Sequence, residues 1–235
     1  MVYKWLNNIH FFLFPPTCML CGAAGEAGRD LCNACHAALP RLTRPCPVCA
    51  KPLAGSEKLV CGECLKHPPP FEQTISAFRY TSPLAKLITD LKFNQRLAAA
   101  RLLGDLLADE LQANAPPMPE CLIPVPLHPK RIRERGFNQS LEIARRVGKQ
   151  LAIPVDADLC HRTRHTAPQT GLDAKARRQN IRHAFALRQP CRYKHIAIID
   201  DVITTGHTVN ETAALFRKQG VEQIRIWSVA RAVID

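Results

Sequence analysis

The chain has 235 residues, of which 46% are hydrophobic, and its formal net charge is +12. This size predicts one ordinary domain accompanied by a small one, with enough apolar residues for a packed core. Eight of the eleven cysteines fall in four Cys-x-x-Cys pairs. That pattern is typical of metal ligands and excludes a disulfide scaffold.

The chain opens with an apolar patch, Ile9–Phe14. It is too short to span a membrane, and it lacks the basic start and small-residue cleavage site of a signal peptide. We expect it to pack against the next module, with a weak peripheral membrane contact as the alternative. The sequence therefore predicts a cytoplasmic protein without a transmembrane segment, in which thiolates stay available for metal.

The cysteine pairs are separated by ten, ten and eleven residues. Two such pairs complete a closed tetrahedral zinc site, so the sequence predicts two structural zinc ions per chain. Successive pairing is favoured, and a crossed arrangement of the pairs stays open. An iron–sulfur cluster and a redox dithiol are the competing interpretations. The predicted ligands are Cys18, Cys21, Cys32, Cys35, Cys46, Cys49, Cys61 and Cys64.

A stiff segment, His67–Pro70, marks the predicted boundary between a zinc module (1–70) and a second domain (71–235). After it, alternating residues predict a strand at Thr74–Tyr80. Apolar residues at helical spacing predict helices at Ser82–Phe93 and Ala98–Leu111.

The next predicted strand, Cys121–Pro126, leads into a segment dense in cations, Leu127–Ser140. Between His128 and Lys194 there are sixteen Lys or Arg residues against five Asp or Glu. Such a loop after a strand suits a pyrophosphate, and we name Pro126, Lys130 and Arg131 as candidates. A solvated basic turn is the alternative. A helix at Leu141–Leu151 and strands near Ile153 and Ile196 complete a βαβ series.

A second basic connection follows at 164–178, and it contains Arg164, Gln169 and Arg178. From these residues alone, a solvated linker is as good an interpretation as a functional loop.

The last and most specific segment begins with a buried strand, Ile196–Ile199, followed by Asp200 and Asp201. The turn after them contains Thr204, Thr205, Gly206, His207 and Thr208, and it leads into a predicted helix that ends near Gly220. A strand, a turn and a helix N-terminus together direct backbone N–H groups at an anion. An ordinary capped turn would explain one aspartate but not the whole segment.

This segment resembles the phosphoribosyl pyrophosphate (PRPP) signature of type I phosphoribosyltransferases. The resemblance implies a parallel α/β sheet flanked by helices, which would follow the small zinc-ribbon module that the cysteine pairs predict. It also implies that the acidic pair holds the ribose hydroxyls, that the Thr-rich turn holds the 5′-phosphate, and that Mg²⁺ accompanies PRPP. In that family a mobile loop in the place of 164–178 closes over the pyrophosphate, so the resemblance makes Arg164, Gln169 and Arg178 candidates for a lid.

The cysteine pairs, Val125–Arg131, Arg135–Gln139 and Thr166–Leu172 together resemble the ComF family over essentially the full length. That resemblance implies a role in natural competence, the uptake of DNA or its use as a nutrient. It also implies handling of single-stranded DNA and work beside a helicase-like competence protein.

Two functions are therefore expected. The first is a binding protein for PRPP and single-stranded DNA in DNA uptake. The second is an active Mg²⁺-dependent phosphoribosyltransferase acting on an unidentified base or nucleotide. The scarcity of aromatic residues disfavours high-affinity stacking on single-stranded bases.

Overall fold

The computed structural model describes residues 15–26, 28–53, 60–114, 116–164 and 184–233. The helices in these ranges are α1 (Asn33–Ala37), α2 (Gly62–Lys66), α3 (Leu84–Phe93), α4 (Leu97–Asn114), α5 (Pro129–Arg135), α6 (Gln139–Leu151) and α7 (His207–Lys218). The strands are β1 (Gln73–Arg79), β2 (Cys121–Pro124), β3 (Cys160–Arg162), β4 (Phe185–Leu187), β5 (His195–Ile203) and β6 (Gln223–Arg231).

Four of these strands form a parallel sheet in the order β1-β6-β5-β2, which confirms the predicted α/β fold. Helices cover both faces of the sheet, and this explains why Ile196–Ile199 is apolar at every position. Helix α6 contributes Ile143 and Val147 to the core on one face, together with α3 and α4. Helix α7 contributes Val209 and Phe216 to the core on the other face.

The helices that follow β2 and β5 therefore lie on opposite faces of the sheet. In open α/β sheets a crevice forms where neighbouring strands send their chains to opposite faces, and ligands bind at the carboxyl ends of the strands there. The fold places this crevice between the segment that follows β2 and the segment that follows β5. Both segments carry predicted phosphate-binding residues.

Three sequence predictions about local structure need correction. Strand β5 does not end at Ile199 but continues to Ile203, because β6 pairs with it as far as Arg231. Most of the first part of the predicted basic loop, Pro129–Arg135, is the helix α5, which begins after His128 and is capped by Gly136 in the left-handed conformation. The strand expected near Ile153 is reduced, in the described residues, to a single bridge between Leu122 and Val155. Pro154 lacks the N–H group that a longer ladder would use.

The predicted zinc ligands lie in two clusters, which pack against the sheet domain at different places. The first cluster is Cys18, Cys21, Cys32 and Cys35, and the second is Cys46, Cys49, Cys61 and Cys64. Leu31 and Leu39, from the first cluster's segment, belong to the same core as α3 and α4. Ion pairs join this segment to α4: Arg29 with Asp109, Asp30 with Arg101 (2.7 Å), and Arg41 with Glu110 (3.2 Å). The second cluster instead lies near the end of β5, since Arg231 of β6 donates a hydrogen bond to the carbonyl oxygen of Cys49.

Candidate functional site

The acidic pair lies in the crevice at the carboxyl end of β5, and both residues are buried. The Ser140 hydroxyl donates to Asp200 Oδ1 at 3.0 Å, and the backbone N–H of Asp201 donates to the same oxygen at 2.9 Å. Lys92 Nζ lies 2.6 Å from Asp201 Oδ2. The structure thus fixes the two carboxylates with different partners, a hydroxyl for the first and an ammonium for the second.

This environment disfavours the charged form of Asp200 but favours the charged form of Lys92. Burial and the neighbouring Asp201 carboxylate raise the pKa of Asp200 to about 7, although Lys92 and the Ser140 hydroxyl act in the other direction. Burial disfavours the ammonium of Lys92, but the charge and hydrogen bond of Asp201, together with the Asp200 carboxylate, outweigh burial and raise the lysine's pKa. Asp200 therefore carries a charge that the surrounding protein compensates incompletely.

Helix α6 holds Ser140 in place for this contact. The side chain of Asn138 caps α6 by accepting from the backbone N–H of Ser140 at 3.0 Å. Its Nδ2 also donates to the carbonyl oxygen of Val125 at 3.0 Å, just beyond β2. Asn138 thereby ties the start of α6 to the end of β2.

Several cations surround the acidic pair. Burial lowers the pKa of Arg135, and the attraction of Asp201 opposes this effect. Burial also lowers the pKa of Arg162 on β3, and the positive charge of Arg131 adds to the effect. These three guanidinium groups and Lys92, here called the positive wall, surround the acidic pair with positive charge, which is the electrostatic complement of a polyphosphate. Pro126 is buried, Arg131 is half-buried, and Lys130 is exposed on α5.

The Thr-rich turn lies between β5 and α7, as the sequence predicts. Gly206 adopts φ +81 and is the N-cap of α7, without a side chain that could cap the helix. Thr204, Thr205, His207 and Thr208 are half-buried around it. A twelve-residue helix whose N-cap is a glycine presents its dipole and first-turn N–H groups to an approaching anion.

Only the start of the predicted lid, at Arg164, lies within the described residues. Gln169 and Arg178 lie outside the described residues. Arg164 lies just after β3, which pairs in antiparallel fashion with β4. The backbone N–H of Thr163 donates to the carbonyl oxygen of Ala184 at 2.9 Å. The described residues that flank 165–183 are therefore adjacent to one another, next to Arg162.

Sequence reasoning missed Lys92, Ser140 and Arg162 as site residues. Lys92 and Arg162 belong to no recognisable sequence motif, and they lie near the acidic pair only because of the fold. Ser140 could have been found, because it occupies the first turn of the helix that follows the basic segment. That position points a hydroxyl toward the carboxyl ends of the strands.

The eight predicted ligands form two groups of four, Cys18, Cys21, Cys32 and Cys35, and Cys46, Cys49, Cys61 and Cys64. Successive pairing is therefore confirmed, and the crossed arrangement is wrong. Tetrahedral zinc with Zn–S bonds of about 2.3 Å separates its sulfur ligands by about 3.8 Å. The Cys21 and Cys32 Sγ atoms lie 3.7 Å apart, and those of Cys49 and Cys61 lie 3.6 Å apart. Both groups fit zinc.

Backbone N–H groups support the thiolate form at the first cysteine of each cluster. Burial raises the pKa of Cys18, but hydrogen bonds from the backbone around Cys32, Cys21 and Leu20 outweigh burial and lower it to about 6. The same balance lowers the pKa of Cys46 to about 7. Thiolates are the form that binds zinc.

Two separate parts of the chain match known protein families. Residues 9–65 match the double zinc ribbon domain, and residues 138–233 match the phosphoribosyl transferase domain. The DNA utilization protein YhgH of Salmonella typhi is 36% identical over 224 residues, which cover 93% of this chain and 98% of that protein. Competence protein F of Haemophilus influenzae is 36% identical over 236 residues, which cover 95% of this chain and 100% of that protein.

The chain belongs to the ComF family. A more distant member, competence protein ComFC of Streptococcus pneumoniae, is 23% identical over 203 residues, covering 86% of this chain and 87% of that protein. Among solved structures, a purine phosphoribosyltransferase from Pyrococcus horikoshii aligns with 55% of this chain and 79% of its own, at a TM-score of 0.33 and 17% identity.

Family membership confirms the predicted combination of a double zinc ribbon with a phosphoribosyltransferase-like domain, in a family whose members are named for competence and DNA utilisation. Among the helices in the described ranges, none is long and apolar enough to cross a membrane.

Proposed function

We propose that this ComF-family protein binds PRPP with Mg²⁺ at the crevice between β2 and β5. We further propose that it acts in the cytoplasm, in the uptake or utilisation of DNA. The observation that carries the proposal is the acidic pair: two buried carboxylates, held by Lys92 and Ser140, next to a glycine-capped helix N-terminus. An anion alone would be repelled by these carboxylates. A ligand that joins a phosphate to hydroxyl donors satisfies both parts of the site.

Each part of PRPP has chemical partners here. The ribose hydroxyls would donate to Asp200 and Asp201, whose oxygens are also the hard ligands that Mg²⁺ prefers. The 5′-phosphate would accept from the Thr204–Thr208 turn and the start of α7. The pyrophosphate would face Arg131 and Arg135. Lys130, Arg164 and the lid candidates Gln169 and Arg178 would add charge and donors around it, and Mg²⁺ would neutralise the charge that remains.

The DNA part of the proposal rests on charge and on relatives. Lys130 and Arg133 project from α5 into solvent, beside the half-buried Arg131 and Arg135. Single-stranded DNA would bind this surface through its phosphates, so its affinity should depend on salt. The names of the relatives place them in competence and DNA utilisation. A helicase-like competence protein is the proposed protein partner, and the 1–70 segment is proposed as a separate zinc domain.

The second candidate is catalytic transfer of phosphoribose to a base or nucleotide. The match of residues 138–233 to the phosphoribosyl transferase domain favours it, because those residues contain the acidic pair and the turn. In this reaction the nucleophile bonds to ribose C1 while the C1–O bond to pyrophosphate breaks. The positive wall would stabilise the departing pyrophosphate.

Calorimetric titration with PRPP and Mg²⁺ tests the first proposal. Wild type should bind, and the double variant Asp200→Asn/Asp201→Asn should bind at least tenfold more weakly, since neutral amides accept poorly from the diol and do not hold Mg²⁺. Asp158→Asn is the matched control, because this aspartate is exposed and its backbone N–H donates to Asp156 rather than to the acidic pair. Equal affinity in wild type and the double variant would refute the ribose role.

A product-resolved assay separates binding from transfer. PRPP is incubated with bases, nucleotides or single-stranded DNA, and released pyrophosphate is measured together with any ribosylated product. Pyrophosphate released in step with one product establishes the transferase. Tight binding without turnover on the whole panel supports the binding protein.

A further inference from the structure

Arg231, at the end of β6, connects the second cysteine cluster to the Thr-rich turn. Its side chain is buried, with 7% of the residue exposed. Its Nε donates to the carbonyl oxygen of Cys49 at 3.0 Å. Its Nη1 donates to the carbonyl oxygen of Ile203 at 3.0 Å and to that of Thr204. One guanidinium group therefore holds the backbone of a metal-binding turn and the backbone of the phosphate-binding turn.

The same junction borders a large cavity. Its volume is about 1060 Å³, and Cys49, Cys61 and Cys64 line one side while Thr204–His207 line another. Val48, from the second cluster's segment, packs against the core that contains Ile203, and the cavity separates the cluster from the turn beside that contact. The hydrogen bonds of Arg231 add a direct polar link from the second cluster to the turn. Each bond joins a charged donor to a backbone carbonyl, which is stronger than a bond between neutral groups.

The first cluster has no comparable contact among the described residues. Its segment is joined to α4 through Asp109 and Glu110, on the opposite face of the sheet from α7. The two clusters are chemically alike but differ in what they touch. This difference provides an internal control for any effect of metal binding on the turn.

We infer that Arg231 couples metal occupancy of the second cluster to the conformation of the Thr204–Thr208 turn, and so to the affinity for PRPP. A bound zinc fixes the backbone around Cys49 and thereby the carbonyl that accepts from Nε. Four thiolates outweigh the charge of one divalent ion, so the occupied cluster also attracts the guanidinium. The guanidinium then holds Ile203 and Thr204 where the turn begins. The effect on affinity rests on the proposed function, whereas the effect on the turn does not.

Hydrogen–deuterium exchange of the peptide spanning 203–208 tests the coupling without any ligand. Cys49→Ser removes a ligand of the second cluster, and Cys21→Ser removes one of the first. Arg231→Met removes the link, and Arg225→Met is its control, because Arg225 lies on the same strand and donates to Gln73 instead. We expect exchange about fivefold faster in Cys49→Ser and Arg231→Met, and unchanged in Cys21→Ser and Arg225→Met.

The double variant Cys49→Ser/Arg231→Met should exchange no faster than either single variant, because both remove one link. Additive effects, or equal acceleration by Cys21→Ser, would overturn the coupling. If Arg231→Met does not fold, Arg231→Lys tests the same point. Lysine keeps the charge but cannot reach both carbonyl oxygens. If the Arg231→Lys variant exchanges as slowly as wild type, the inference is also overturned.

A parallel titration with PRPP and Mg²⁺ keeps the two proposals apart. Cys49→Ser and Arg231→Met should bind PRPP about tenfold more weakly than wild type, with zinc measured in each variant by elemental analysis. Arg231→Met should retain the metal content of wild type. Wild type that fails to bind PRPP refutes the proposed function alone. An exchange rate that does not respond to the second cluster refutes the coupling alone.

Discussion

The replacement Asp200→Asn should stabilise this protein while weakening its proposed function. Asparagine preserves the shape of the side chain. Its Oδ1 can still accept from the Ser140 hydroxyl and from the backbone N–H of Asp201, the two bonds that Asp200 Oδ1 accepts now. What it removes is a buried negative charge next to a second carboxylate. Residues retained for binding often carry such a cost in stability.

The magnitude follows from the pKa of Asp200, which burial and Asp201 raise from its ordinary value of 3.8 to about 7. In that interval the folded protein keeps a proton that the unfolded chain has lost, so stability falls as pH rises. Each pKa unit corresponds to about 1.4 kcal/mol, and the full interval to about 4 kcal/mol. Above pH 7 the asparagine variant should exceed wild type by about 2 to 4 kcal/mol in free energy of unfolding.

Chemical denaturation of wild type and Asp200→Asn, at about pH 5 and about pH 8.5, measures this difference. The variant's advantage should be about 2 kcal/mol larger at the higher pH. Asp158→Asn should show no advantage at either pH, because that residue is exposed. A variant less stable than wild type at pH 8.5, or an advantage that does not change with pH, would show that the protein compensates the charge of Asp200 fully.

Three further predictions concern the metal, the packing and the basic surface. Elemental analysis should find about two zinc ions per chain, and a metal-free folded protein would contradict the double ribbon. Gly148→Ala should lower the free energy of unfolding by about 2 kcal/mol, because the new Cβ would lie 2.6 Å from the Ile153 carbonyl oxygen; Gly62→Ala, which meets no atom within 4 Å, should not. Replacing Arg131, Arg133 and Arg135 with alanine should weaken single-stranded DNA binding and flatten its salt dependence, and salt-insensitive binding would contradict the electrostatic account.

Local chemistry made much of the site predictable. The run Ile196–Ile199 specifies a strand buried on both faces, and the residues after it specify a turn and a helix start. The regular spacing of the cysteine pairs favours successive clusters, which the structure confirms. In these cases the residues that decide the structure are neighbours in sequence, so the pattern itself contains the information.

Contacts between distant segments could not be predicted in this way. Lys92 on α3 contacts Asp201 on β5, and Arg231 at the end of β6 contacts Cys49 of the second cluster. Both contacts depend on the order of the strands in the sheet, which the sequence pattern does not contain. The extension of β5 to Ile203 likewise depends on its pairing with β6. The helix α5 was missed for a different reason. Its length of seven residues allows no clear apolar periodicity, and its signals are the N-terminal Pro129 and the terminal Gly136.

The different environments of the two aspartates lead to a last prediction about binding. Lys92 already compensates Asp201, whereas Asp200 is compensated incompletely and its pKa is raised. Ribose hydroxyls that donate to Asp200 would favour its ionised form and lower its pKa, so binding of PRPP should release a proton near pH 6 and strengthen toward pH 8. Calorimetry in two buffers of different ionisation enthalpy counts that proton.

The pyrophosphate of PRPP can also release a proton on binding, so a reference variant is needed to subtract that contribution. The double variant Asp200→Asn/Lys92→Met is not suitable, because it also removes the cation that pairs with Asp201. The single variant Asp200→Asn is suitable, since it keeps Lys92 and Asp201 paired while it cannot release the proton. The difference in proton release between wild type and this variant isolates Asp200. A difference of zero, with binding retained in both proteins, would mean that the ribose hydroxyls do not donate to Asp200, and the diol would then have to be held by Asp201 alone.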